Sequence, residues 1–128
     1  MKTLRIGIAP YEEIKARSLV IARGELTPGP DEPKLWFASI ESLARVLSDK
    51  NRALIDLIIE RRPQSLAELE QLSGRARSNL SRTLKSMERF GLVEFVEGEG
   101  RTLQPRVPYD EIQLDLPMGP QRRMALSA

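Results

Sequence analysis

Residues 65–93 read S-L-A-E-L-E-Q-L-S-G-R-A-R-S-N-L-S-R-T-L-K-S-M-E-R-F-G-L-V, and the rest of the chain is placed from them. Ser65 with Glu68 three residues later forms a capping box, which predicts a helix start. Leu66, Leu69 and Leu72 recur at i, i+3 and i+6, the apolar stripe of a short amphipathic helix. Gly74 then stands where a tight turn demands positive φ. Leu80, Leu84 and Met87 at i, i+4 and i+7 give a second helix with one apolar face, and Gly91 closes it. Val93 and Phe95, a tip containing Gly98 and Gly100, and then Thr102 and Leu103 read as a β-hairpin. Helix, glycine turn, helix and hairpin is the order of a winged helix-turn-helix, an α+β fold with a three-helix core and a β-hairpin wing.

Upstream, two more helices are legible. Ser39 is placed to cap one carrying Ile40, Leu43, Val46 and Leu47, although Ser42 stands where a capping box prefers an acid or amide. Asp49 is placed to cap the next, Lys50 to Arg61, with Leu54, Leu57 and Ile58 on its apolar face and Pro63 beyond its end. Thr3 to Ala9 alternates as a strand, and Tyr11 to Arg23 reads as a helix with Ile14, Leu19, Val20 and Ile21 apolar. Leu26 to Pro33 holds three prolines and a glycine and reads as a linker. Leu35-Trp36-Phe37 forms an aromatic cluster that reads as a short strand or anchor, serving the core or a dimer in preference to a binding hot spot. Tyr109 to Leu116 alternates as a further strand. The expected division is an N-terminal strand-helix extension and linker over residues 1–34, a winged helix-turn-helix over 35–116, and a flexible tail over 117–128.

Composition narrows the function. In 128 residues, 41% are apolar and 30% charged, which fits a soluble globular chain. Apolar runs fall short of the roughly 18 residues that span a bilayer, and the N-terminus lacks the apolar region of a signal peptide. A cytoplasmic location and no membrane partner are expected. The chain contains neither Cys nor His, so thiol nucleophiles, zinc-finger ligands and histidine-based triads are excluded. Its acids stand singly instead of as a paired general acid and base. The sequence therefore predicts no enzyme, no metal and no cofactor.

Charge points the same way. The net charge is only +2, but Gly74 to Phe90 carries five cations against Glu88 alone. With Leu80, Leu84 and Met87 facing inward, a period of 3.6 turns Ser78, Arg82, Lys85 and Arg89 outward, with Asn79 and Ser81 at the edges. Arg forks onto guanine, Asn onto adenine, and Ser bonds bases or phosphates. Arg77, Ser78, Asn79 and Arg82, near the N-terminal end, are placed for base or phosphate contact, and Lys85 and Arg89 for backbone contact only. Ser81, Arg75 of the turn and Arg101 of the hairpin complete the candidate DNA-binding set. The competing reading is a solvated charged face. Glu97 and Glu99 flank Arg101, so the hairpin is open to a structural as well as a DNA-contacting role.

Residues 74–93 resemble the helix-turn-helix signature of MarR-like and ArsR-like winged-helix regulators. Ser78, Ser81, Arg82, Leu84, Glu88, Gly91, Leu92 and Val93 match its run. Met87 replaces a leucine, and Ala76 stands where those proteins often carry a capping Ser or Thr. Over nearly the full length, the order Y-E-E-I-K-A-R-S-L-V-I-A-R-G-E, then K-L-W-F-A-S-I-E-S-L-A-R-V-L-S, then this motif, resembles a group of small regulators. Some of these are encoded beside a toxin and act as its antitoxin (TumA-like). The resemblance implies an autorepressor of double-stranded DNA and a cognate toxin partner. Winged-helix extensions commonly dimerise, so a homodimer is expected, using Leu4 to Arg23, with the strand Ile112 to Leu116 as a further candidate. The alternative is a protein-interaction module that neutralises a toxin, with DNA binding secondary.

Overall fold

The computed structural model describes residues 2–116 and 118; all but Met118 of the tail expected over 117–128 lies outside the described residues. The fold is α+β, with five α-helices and two small sheets among the described residues. It divides into two units, one made of residues 1–44 and 111–128 and the other of residues 45–110. The boundaries therefore fall elsewhere than at 34/35 and 116/117. Strand pairing is the reason. β1 (Thr3–Ile8) takes β2 (Leu35–Phe37) on one side and β5 (Glu111–Asp115) on the other, both parallel. Residues 35–37 and 111–115 thus belong with the N-terminus and not with the helices between them.

In the first unit, α1 (Tyr11–Ala22) follows β1. Leu4, Ile6, Ala9, Leu26, Phe37 and Leu43 are its buried apolar residues. Of the apolar residues of α1, Ile14, Val20 and Ile21 are half-buried and Leu19 is exposed, and the helix's one buried residue is Arg17, at 4% exposure. Its guanidinium pairs with Glu32 and lies 5.9 Å from the centre of the Trp36 ring. A charge can be buried here because it has a carboxylate and an aromatic face as partners. The Trp36 ring in turn lies over Gly7, where an added Cβ would come within 2.3 Å of it.

The helix α2 (Ile40–Val46) runs from the first unit into the second. Its capping box is complete after all. Ser42 N–H donates to Ser39 Oγ at 3.1 Å, and Ser39 N–H donates to Ser42 Oγ at 3.3 Å. A serine hydroxyl does here what a Glu or Gln side chain usually does.

The second unit holds α3 (Asp49–Arg61), α4 (Leu66–Ser73), α5 (Arg77–Arg89) and a hairpin of β3 (Glu94–Glu97) and β4 (Leu103–Arg106). Ser48 caps α3, accepting from Asn51 N–H at 3.2 Å, and Asp49 becomes the first helical residue. Ser65 caps α4, accepting from Glu68 N–H at 3.1 Å. Gly74 ends α4 with φ of 72°. Leu54, Ile58, Leu69, Leu80, Leu84, Met87, Leu92 and Val93 are buried, together with Pro63 and Pro105. α3 and α4 both pack against β4. Leu72, third in the α4 stripe, is exposed, and Leu57 of α3 is half-buried. No helix among the described residues is long and apolar enough to cross a membrane.

Candidate nucleic-acid interface

α5 is positioned by its apolar face. Leu80, Leu84 and Met87 are at most 1% exposed. The opposite face is held outward as a consequence of helical periodicity. It presents Ser78, Arg82, Lys85 and Arg89, all exposed. Among the described residues, the side chains of Arg82, Lys85 and Arg89 have no internal hydrogen bond or ion pair. Three cations without a carboxylate partner project from one helix.

Arg77 is exposed but engaged. Its Nη2 donates to Glu70 Oε1 at 3.3 Å, and its backbone N–H donates to Glu70 Oε2 at 3.0 Å. Ala76 at the N-cap has no side-chain acceptor, and Glu70 supplies one from α4 instead. An exposed pair of this kind contributes at most about 1 kcal/mol, so Arg77 can exchange it for a phosphate.

Arg75 differs from the expectation. It is half-buried and turned into the unit, where Nε donates to Asn79 Oδ1 at 2.7 Å, Nη2 to Thr83 Oγ1 at 3.1 Å and Nη1 to Asn51 Oδ1 at 3.4 Å. A planar guanidinium with five donors suits this three-way junction. Arg75 is thus engaged within the unit, bracing α5, and Asn79 Oδ1 accepts from it. Ser81 is half-buried at the edge of the face. Sequence reasoning missed Asn51, whose Nδ2 also donates to Val46 O at 3.0 Å, tying the end of α2 to the start of α3. Nothing in the local pattern around Asn51 signals a partner so far along the chain.

Arg101 sits at the hairpin tip, exposed, with φ of 65° beside Gly100 at 64°. The hairpin is fastened below the tip. Gln104 Nε2 donates to Gln64 Oε1 at 2.7 Å, and Arg106 Nη2 donates to Gln104 Oε1 at 2.7 Å. A Cβ at Gly98 would lie 2.7 Å from Gln104 Nε2, so the glycine leaves room for that amide.

The model of the HVO_A0114 family matches residues 46–114, just over half of the chain. The chain belongs to the HVO_A0114 family. In this HVO_A0114 member the matched stretch takes in α3, α4, α5, the hairpin and most of β5. It therefore contains every candidate DNA-binding residue named above. No curated protein and no solved structure matches the chain.

Proposed function

We propose that this chain is a DNA-binding transcriptional regulator of the winged helix-turn-helix type, with α5 lying in the major groove. The single observation that supports this is the polarity of α5. Its apolar face is fully buried while Arg82, Lys85 and Arg89 stand exposed and unpaired among the described residues. A helix end carrying Arg77 and Ser78, both exposed, faces the bases, and the cations further along face phosphates. Binding is then dominated by counterion release and weakens steeply with salt. The test is fluorescence anisotropy of the full chain on a duplex of mixed sequence across a salt series. Steep salt dependence, reduced by Lys85→Ala with Arg89→Ala, supports the reading. Binding that ignores both salt and these substitutions refutes it.

A homodimer completes the reading, because paired half-sites need paired recognition helices. The N-terminal strand cannot supply the interface edge, since β1 lies between two other strands. Of the two edge strands, β2 and β5, the longer is β5, where Ile112, Leu114 and Leu116 are 40–44% exposed. In register, Ile112 and Leu114 continue the row of Leu4 and Ile6. Pairing β5 with a second β5, antiparallel about Leu114, sets Ile112 opposite Leu116 and Gln113 opposite Asp115. Apolar then meets apolar, and amide meets carboxylate.

A further inference from the structure

The geometry points to a phosphate-docking cleft where the end of α2, the start of α3 and the middle of α5 meet, and we propose that it holds one phosphodiester of duplex DNA. This rests on the DNA-binding reading above and adds to it a residue outside α5, Arg45. The cleft has a volume of about 250 Å³, and its lining includes Arg45, Asn51, Arg82, Thr83 and Ser86, with no carboxylate among its residues.

The hydrogen-bonding inventory decides the ligand. The guanidinium groups of Arg45 and Arg82 have no internal partner among the described residues. Thr83 Oγ1 already accepts from Arg75 Nη2, which leaves its own proton to donate. Ser86 adds a second unengaged hydroxyl. The one strong side-chain acceptor on the wall, Asn51 Oδ1, is taken by Arg75 at 3.4 Å, and Asn51 Nδ2 is taken by Val46 O. The wall is therefore rich in donors and poor in acceptors, and it suits an oxyanion. Asn51 also fixes the walls relative to one another, so the donors are in place before the anion arrives.

DNA is favoured over a free anion because Arg82 begins a row that Lys85 and Arg89 continue on the exposed side of α5. A duplex presents phosphates in a row, whereas a lone anion would leave that row unused. Arg82 is thereby assigned to the backbone, and base reading passes to Arg77 and Ser78 nearer the helix start.

The experiment uses the full chain, with wild type, Arg45→Ala, Arg45→Lys and Arg45→Ala/Arg82→Ala titrated against a duplex of mixed sequence over a salt series. Thermal melts are run alongside. Arg45→Ala should melt like wild type and lower the slope of log K against log salt by about 1, the double variant by about 2, with Arg45→Lys close to wild type. An Arg45→Ala that melts like wild type and keeps its slope overturns the cleft while the DNA-binding reading stands. If wild type shows no salt-dependent binding, both fall. If Arg45→Ala keeps the DNA slope of wild type but loses the binding of inorganic phosphate, measured without DNA by calorimetry, the cleft's ligand is a free anion and the assignment to DNA is overturned. Should Arg45→Ala fail to fold, Arg45→Gln carries the same two outcomes.

Discussion

Glu70 accepts twice from Arg77, once from its backbone N–H at 3.0 Å and once from its guanidinium at 3.3 Å. One carboxylate thus caps α5 and holds back a cation that the proposed function needs. Glu70→Ala removes the cap and frees the arginine. Stability should fall by about 1 kcal/mol, while affinity for a duplex at low salt should rise. A thermal melt and an anisotropy titration on the same preparation check both signs. A variant whose affinity falls along with its stability shows that the cap matters more than the released charge.

Arg75 should behave as a structural residue. Arg75→Ala breaks three side-chain hydrogen bonds made by one charged group, and unfolding by denaturant should show a loss of about 1–3 kcal/mol. Arg75→Lys should not restore it, since an ammonium cannot spread over the three acceptors. The salt slope of DNA binding, measured below the melting temperature, should stay that of wild type. A slope that drops by about 1 would instead put Arg75 on a phosphate.

Leu84 is fully buried on the inner face of α5. Leu84→Ala should cost about 2–5 kcal/mol by cavity formation, whereas Lys85→Ala, one position further on, should leave the denaturation midpoint unchanged. The pair reports in one experiment whether the helix is seated as described. Equal effects at both positions would contradict it.

Gly7→Ala should be disruptive for a reason local to the first unit. The added methyl would lie 2.3 Å from the Trp36 ring, and overpacking of this kind costs about 1–3 kcal/mol. Trp36 is the only tryptophan in the chain, so its emission reports this unit alone. The variant's spectrum should shift, and a wild-type spectrum at unchanged stability would show that the ring is not held there.

Leu114→Arg tests the proposed β5 pairing. Two arginines would face each other at the two-fold axis, and like charges directly opposite destabilise a strand pair. Light scattering should find wild type as a dimer and the variant as a monomer. A monomeric wild type would leave the edge for a different partner, among them the toxin that the sequence resemblance implies.

What could be read from the sequence was local. Helix periodicity places α3, α4 and α5 within a residue or so, Gly74 is legible as a turn because positive φ is a demand of the backbone itself, and Gly91 is legible as the stop of α5. Capping was half legible. The Ser65 box needed only neighbours along the chain, but Ser48 displaced Asp49, and Ser42 took a role usually given to a longer side chain. The outward set on α5 followed from the same periodicity, and Arg82 and Lys85 stand where the helical wheel puts them.

The tertiary structure decided what the chain does over long separations. Residues 35–37 and 111–115 joined the N-terminal strand because parallel pairing is made between backbones, which a side-chain pattern does not announce. Arg75 and Arg82 are the same residue type seven positions apart, yet Asn51, Asn79 and Thr83 converge on one and leave the other exposed. Residue type and spacing determine which face of a helix a cation occupies. Whether it finds an acceptor there depends on groups brought in from elsewhere in the chain, and only folding places them.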